Sequence, residues 1–303
     1  MANTGKKNQY RGRFAPSPTG PLHFGSLASA VASYLQARSN QGIWLVRIED
    51  IDPPREVPGS SDDILLTLEQ HGLHWDESIL YQSQQTERYL SALETLDQLR
   101  LLYHCQCSRK TIAESQQQLG ISVYPGTCRE RRIESAQTSA VRIKTQDRDV
   151  AFVDHIQGLY QQNMANDVGD FILRRADGWI AYQLAVVVDD AYQGITEVVR
   201  GSDLLDNTPR QIMLQNNLTL VTPHYSHHPV AANLKGEKLS KQSHASPISQ
   251  TPPLQNLHKV LDFLGQNPPN ENEFSGPEEL RDWAITHWNL KSVPNVNQIT
   301  VSA

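Results

Sequence analysis

Cysteine is scarce in these 303 residues: there are three, an odd number. A disulfide framework is therefore not the organising principle, and a reducing compartment fits. Long apolar runs are missing as well. The longest aliphatic stretch, residues 184–188, falls far short of a membrane span. The first ten residues are polar, carry Lys6 and Lys7, and lead into no apolar segment, so the chain reads as a cytoplasmic protein without a secretory leader. Positive charge is not in excess. The balance of 27 Lys and Arg against 33 Asp and Glu gives a net −6, which excludes a general polyanion binder and leaves nucleic acid only a local basic face. No repeat of fixed period is present. What remains, 38% hydrophobic and 20% charged residues, is ordinary for a globular protein. The length amounts to roughly two average domains.

The order of patterns along the chain points to an α/β fold. A short strand over 10–14 runs into the turn-rich Ala15-Pro16-Ser17-Pro18-Thr19-Gly20-Pro21. Small and apolar residues then recur at helical spacing from Leu22 to about Asn40, and 43–48 reads as a second strand. Strand, loop, helix and strand make a βαβ unit, which begins a parallel sheet and puts a nucleotide-type loop at a strand's carboxyl end. Helices are predicted over 62–71 and 86–102, and strands over 140–144, 151–154 and 169–174. A buried helix follows over 181–192, a strand over 195–200 and a helix starting at 209–215. Residues 103–132 shift to Cys, Gln, Arg and Gly, as a small inserted module would. After Gln250 the chain is Pro- and Asn-rich, with six acidic and three basic side chains over 251–303, and helices are predicted over 254–264 and 277–287.

Three groups of residues carry chemistry. His23-Phe24-Gly25-Ser26 lies where the first loop passes into a helix. Free N–H groups and the positive dipole end there favour phosphate. Gly25 admits a flat ring close to the backbone. The same four residues also fit an ordinary helix start with a surface histidine. Lys238-Leu239-Ser240-Lys241 offers two lysines to a triphosphate, and equally fits a solvated basic loop. Cys105-Gln106-Cys107 and Cys128 share one module, suiting a tetrahedral zinc that needs a fourth ligand. His104 is the neighbour a general rule would choose.

Taken in order, these strings resemble the two signatures of class I aminoacyl-tRNA synthetases. Arg13-Phe14-Ala15-Pro16-Ser17-Pro18-Thr19-Gly20 with Leu22-His23, Arg47-Ile48-Glu49-Asp50-Ile51-Asp52, and Tyr182-Gln183-Leu184 through Asp189-Asp190 with Val199-Arg200-Gly201-Ser202-Asp203 are similar to the glutamyl subgroup. The likeness covers roughly residues 10–245. One departure is Ser26, where the broad class has histidine. This leaves His23 as the only imidazole of the first signature, while Lys238-Leu239-Ser240-Lys241-Gln242 keeps both lysines of the second.

The resemblance implies a Rossmann-type parallel-sheet catalytic core in two halves, residues 8–102 and 169–250. Between them would lie an inserted zinc-containing subdomain over 103–168, with a short helical appendix over 251–303. It implies glutamate binding by Arg13, Phe14, Ala15, Pro16, Ser17, Glu49, Tyr182 and Arg200. Two arginines and one acid suit a ligand with two carboxylates and one ammonium, the arginines pairing in planar bidentate fashion. It implies ATP binding, with Mg²⁺, by His23, Gly25, Ser26, Lys238 and Lys241, with His23, Lys238 and Lys241 serving the chemistry. For the metal it implies one structural Zn²⁺ on Cys105, Cys107, Tyr124 and Cys128, Tyr124 standing where the general rule would put His104. Only 61 residues follow Gln242, too few for a large anticodon reader. The expectation is thus a truncated branch of the family. Such enzymes activate L-glutamate with ATP and esterify it to the queuosine base in the anticodon of tRNA(Asp). The protein would act as a monomer with no membrane partner. Arg129, Arg131 and Arg132 give the module a basic edge for RNA. Two alternatives are a short glutamyl-tRNA synthetase charging a tRNA 3′ end and a catalytically silent paralogue that binds amino acid or RNA.

Overall fold

The computed structural model describes residues 9–131, 133, 138–238 and 248–301. The first βαβ unit forms as its sequence pattern requires. Strand β1 (Arg11–Phe14) and strand β2 (Ile43–Ile48) pair in parallel across helix α1 (Phe24–Ser39). Leu27, Val31 and Leu35 of α1 are fully buried with Trp44 of β2, and Trp44 Nε1 donates to Ser33 Oγ at 3.0 Å. Helix α2 (Ser60–Gln70) returns the chain to the short strand β3 (Leu80–Tyr81), parallel to β2. Helix α3 (Thr86–Gln98) is shorter than the 86–102 predicted. Arg100 adopts φ 58°, and strand β4 (Leu102–Cys105) begins two residues later. The apolar run Leu99, Leu101, Leu102 does not reveal that reversal, because its composition suits either state.

Helix α4 (Arg109–Leu119) is followed by strand β5 (Ala140–Ile143), which lies antiparallel to β4. Strands β6 (Asp149–Asp154) and β7 (Gly158–Asn163) form a hairpin, and strand β8 (Phe171–Arg174) pairs antiparallel with β5. The chain then re-enters the parallel layer. Helix α5 (Tyr182–Tyr192) leads to strand β9 (Glu197–Gly201), helix α6 (Thr208–Asn217) and strand β10 (His224–His228), which is parallel to β9. Thr196 N donates to Arg11 O at 2.9 Å and Arg11 N to Thr196 Oγ1 at 2.9 Å, so β9 starts against β1. The two parallel pieces thereby meet along one seam, giving the α/β class expected.

Strand β11 (Val230–Ala232) leads toward Lys238. Helices α7 (Pro253–Phe263) and α8 (Pro277–His287) follow, and strand β12 (Gln298–Thr300) returns parallel to β11. Leu257, Leu261, Leu264 and Leu280 from this last stretch are buried in the same cluster as α1. Strands β3, β4, β7, β10, β11 and β12 lie outside the strands that the sequence pattern predicts. Gly-Leu-Tyr-Gln-Gln-Asn and His-Tyr-Ser-His-His lack the β-branched alternation that marks a strand in isolation. Among the described residues, no helix is long and apolar enough to cross a membrane.

Candidate active site and metal cluster

The loop after β1 is held in place by its backbone. Glu49 N donates to Pro16 O at 2.9 Å and Val57 N to Pro18 O at 2.9 Å. Ser60 Oγ accepts from Gly20 N at 2.9 Å and donates to Gly20 O at 2.8 Å. With Pro16, Pro18 and Pro21 fixing φ, the loop forms one wall of a cavity of about 730 Å³ at the carboxyl ends of β1, β2 and β9. All eight residues expected to bind glutamate line it: Arg13, Phe14, Ala15, Pro16, Ser17, Glu49, Tyr182 and Arg200. So do His23, Gly25, Ser26 and Lys238. Lys241 lies outside the described residues.

The arginines are held more tightly than the sequence suggests. Arg13 donates through Nε to Asp190 Oδ1 at 3.1 Å and through Nη2 to Asp190 Oδ2 at 3.4 Å. Arg47 Nη1 donates to the same Asp190 Oδ1 at 2.7 Å and to Gln193 Oε1 at 2.9 Å, and its Nη2 to Glu49 Oε1 at 3.3 Å. All four charged groups are buried. Burial pushes the Asp190 carboxyl up, but Arg13 and Arg47 outweigh it and hold the group below the usual carboxylate range. For Glu49 burial prevails over Arg47 and Arg13, and its carboxyl is raised. Arg200 donates from Nε to His227 Nε2 at 3.0 Å and from Nη2 to Thr208 Oγ1 and Gln211 Oε1, both at 2.8 Å. Its Nη1 is buried with no hydrogen-bond partner among the described residues.

The Nε–Nη2 edges of Arg13 and Arg200 are therefore occupied within the protein. Buried guanidinium groups need acceptors of their own, and these two find them along that edge. A buried donor without an acceptor, on a guanidinium lining a cavity, is a place for an anionic ligand. Tyr182, the first residue of α5, stands beside these groups, and burial raises its phenol pKa.

On the α1 side of the cavity His23 is the N-cap of α1, its Nδ1 accepting from Ser26 N at 3.3 Å. That role leaves the ring hydrogen on Nε2, which faces Ser26 Oγ at 3.0 Å. Ser26, the departure from the broad class, thus braces the remaining imidazole. Lys238 Nζ pairs with Asp203 across the cavity mouth. Sequence reasoning missed Asp203, Arg55 and His228 as lining residues. Arg55 and His228 sit in no string with an evident chemical role. Asp203 ends a quoted string, which was its one signal.

The three thiols also meet. The Sγ atoms of Cys105, Cys107 and Cys128 all lie within 4.8 Å of one another, a grouping that could hold a metal ion. Tyr124 Oη is 3.3 Å from Cys105 Sγ and 3.5 Å from Cys107 Sγ, and it accepts from Cys128 N at 3.1 Å. The Arg142 guanidinium covers the Tyr124 ring at 3.8 Å. Gly169, at φ 68°, makes room for this loop. A Cβ there would stand 2.8 Å from Val123 Cβ and 3.2 Å from Tyr124 N. His104 projects from the opposite face of β4, its Nδ1 2.9 Å from Ser139 Oγ. Of the expected basic edge, Arg129 donates to Thr145 O at 2.8 Å and lies 3.5 Å from Asp170, Arg131 is exposed, and Arg132 lies outside the described residues.

A family model for tRNA synthetases class I (E and Q), catalytic domain, matches residues 9–298. A glutamyl-Q tRNA(Asp) synthetase of Dechloromonas aromatica (strain RCB) is 52% identical over 297 residues, 97% of this chain and 99% of that protein. A protein of the same name from Thiobacillus denitrificans (strain ATCC 25259 / T1) is 50% identical over 284 residues, 93% of this chain and 94% of the other. The glutamate-tRNA synthetase structure from Elizabethkingia anophelis superposes with a TM-score of 0.80 at 24% identity, covering 98% of this chain and 68% of that one. At that identity the likeness speaks for the fold alone.

Proposed function

The chain belongs to the class I tRNA synthetases of the E and Q type and is a ligase of that kind, and on this premise we propose that it activates L-glutamate with ATP and esterifies it to the queuosine base at the wobble position of tRNA(Asp). The observation that carries the amino-acid half is the unpartnered, buried Nη1 of Arg200, on a residue that lines the same cavity as Arg13, Glu49 and Tyr182. One glutamate carboxylate meets Arg200, Glu49 faces the ammonium, and Arg13 lies beside the second carboxylate. An oxygen of the α-carboxylate then attacks the α-phosphorus of ATP, the bond to the bridging oxygen breaks, and pyrophosphate leaves. Adenylate forms without RNA, because every group that positions glutamate comes from this chain. Catalysis at this step is positioning plus charge stabilisation. His23, Lys238 and Lys241 serve the phosphates, and Mg²⁺, when bound with ATP, would supply further neutralisation of the triphosphate. In the second step a hydroxyl oxygen of queuosine attacks the activated carbonyl, the bond to the adenylate oxygen breaks, AMP and a proton leave, and the ester forms. The names of the relatives at about half identity support that acceptor.

The cysteine cluster fits a structural Zn²⁺. Three soft thiol donors and a phenol oxygen converge on one point, and Tyr124, not His104, is the fourth group at hand. When bound, the ion would tie the loop after α4 to the end of β4. The protein reads as cytoplasmic, monomeric and without a membrane partner.

The test is incubation with ATP, labelled glutamate and bulk tRNA, followed by nuclease digestion. Label in an anticodon fragment of tRNA(Asp), present only when queuosine is present, is the expected result. Label released with the 3′-terminal adenosine would replace this reading with a short glutamyl-tRNA synthetase. Absence of both label and glutamate-dependent pyrophosphate exchange would favour a silent paralogue.

A further inference from the structure

Arg200 enters the cavity from β9, and the groups that orient it stand behind it. His227 is its register partner on the adjacent parallel strand β10. Arg200 Nε donates to His227 Nε2 at 3.0 Å. An arginine Nε always carries hydrogen, so His227 Nε2 is the bare nitrogen and the ring hydrogen sits on Nδ1. Nδ1 faces Asp154 Oδ2 at 2.6 Å, and both side chains are completely buried. Asp154, at the end of β6, is itself fixed. Its Oδ1 accepts from the backbone N–H groups of Ile156, Gln157 and His227 at 2.9, 2.8 and 3.1 Å. Neither Asp154 nor His227 lines the cavity.

We propose, resting on the reading of Arg200 as a glutamate-binding residue, that Asp154 and His227 are positioning residues that set the amino-acid affinity of the enzyme by fixing which imidazole nitrogen carries the hydrogen. Asp154 accepts from Nδ1 and so keeps Nε2 bare. The bare Nε2 takes the Arg200 Nε–H, while Thr208 and Gln211 take Nη2. Held along that whole edge, the guanidinium presents Nη1 to the ligand without having to be ordered by it, and pre-ordering of this kind appears as affinity.

The orientation of Asp154 makes the idea testable with one atom. In Asp154→Asn the amide oxygen stays with the three backbone N–H groups, since an NH₂ there would face three donors. Its NH₂ then points at His227 Nδ1, which must accept. The ring hydrogen moves to Nε2 and confronts Arg200 Nε–H, donor against donor. It can turn only to Thr208 Oγ1, 3.2 Å away, which already accepts from Arg200 Nη2, so either way the hold on the guanidinium is disturbed. His227→Gln works differently. Its terminal carbonyl can stand in for Nε2 as acceptor, and it does not extend to Asp154.

The experiment is glutamate-dependent pyrophosphate exchange for the wild type, Asp154→Asn, His227→Gln and the double variant, with ¹⁵N-histidine spectra and unfolding midpoints for each. Asp154→Asn should raise KM for glutamate by about 10- to 100-fold, with KM for ATP near the wild-type value, because the lost contact orders only the amino-acid side. The spectra should show Nδ1–H for His227 in the wild type and Nε2–H in Asp154→Asn. His227→Gln should raise KM for glutamate by less than about tenfold, and adding Asp154→Asn to it should change nothing further, the signature of two residues acting through one path. Wild-type glutamate KM in Asp154→Asn, or the same rise in both backgrounds, would overturn the proposal. A joint rise of both KM values with a lowered unfolding midpoint would reduce Asp154 to a fold-stabilising residue. If the wild type shows no glutamate-dependent exchange, the functional reading fails separately. The relay is then judged by the spectra, where Nε2–H in the wild type would refute it.

Discussion

Replacing Asp190 with Asn removes a charge from a cluster that balances only with it. Arg13 and Arg47 face Asp190 and Glu49 inside the protein, with exposures of 4%, 0%, 5% and 9% respectively. Asp190 Oδ1 is shared by two guanidinium groups, 3.1 Å from Arg13 Nε and 2.7 Å from Arg47 Nη1. An Asn of the same shape keeps one acceptor oxygen and turns two donor hydrogens toward a site already full of donors. Taking one partner from a buried ion pair costs about 3–5 kcal/mol. A Coulomb estimate for one pair at about 4 Å with an effective dielectric of about 20 gives about 4 kcal/mol, in agreement. That is a large part of the roughly 5–15 kcal/mol that holds a domain folded. Urea unfolding should therefore place Asp190→Asn about 3–5 kcal/mol below the wild type, and glutamate affinity should fall because Arg13 is no longer held. Adding Arg47→Met should recover part of the loss by restoring neutrality among the remaining pair, Arg13 and Glu49. A single-variant cost under about 1 kcal/mol, the range of exposed pairs, would refute the reasoning. So would a double variant as damaged as the sum of the two singles.

Acid should weaken the fold through His227. Burial, the leading cause, lowers its pKa from 6.5 to about 4, so between those values the unfolded chain takes up a proton that the folded one refuses. Its contribution is complete above 6.5, falls as pH drops toward 4, and amounts to about 3 kcal/mol at most. Unfolding free energies across that window, absent a matching slope in His227→Gln, would check it. Elemental analysis of protein never exposed to chelator should find one zinc per chain. Stripping it should lower the melting temperature and loosen the loop after α4, while Cys128→Ala should abolish binding; protein free of zinc as purified would contradict the site. Aspartate should exchange at least about 100-fold worse than glutamate, since one methylene less leaves a buried Arg200 donor unpaired, and glutamine should fail for want of charge. Comparable rates with either would contradict the pocket.

The family resemblance points to the cavity-lining residues, Tyr182, Arg200 and Lys238 among them. Local pattern alone announces the βαβ unit that carries Arg13, the loop from Ala15 to Gly20, His23 and Glu49, through its alternation and turn residues. The supports were not legible, because their partners are remote. Arg13 and Asp190 are separated by 177 residues, Arg47 and Asp190 by 143, and Asp154 and His227 by 73. Asp189-Asp190 could be quoted as a string, yet nothing local says that Asp190 faces two arginines while Asp189 faces Tyr89 and Gln82. Strand β10 failed for a related reason. Three histidines in five residues look solvated, yet only His224 is exposed, while His227 and His228 are buried with hydrogen-bond partners of their own.

The seam between β1 and β9 also has a cost in time. Arg11 and Thr196 are 185 residues apart, so at about 5–20 residues per second a ribosome needs roughly 10–40 s to deliver the second half of the sheet after the first. Through that interval β1 shows an unpaired edge, and α1 waits for Leu257, Leu261 and Leu280 to cover it. The parallel pairing of β11 with β12 comes later still, joining Val230 to Gln298. A growing chain of this protein therefore carries open sheet edge and apolar helix surface for much of its synthesis, the condition under which chaperones compete with aggregation. Its yield in a cell should depend on translation speed and holdase supply more than the stability of the finished protein would suggest.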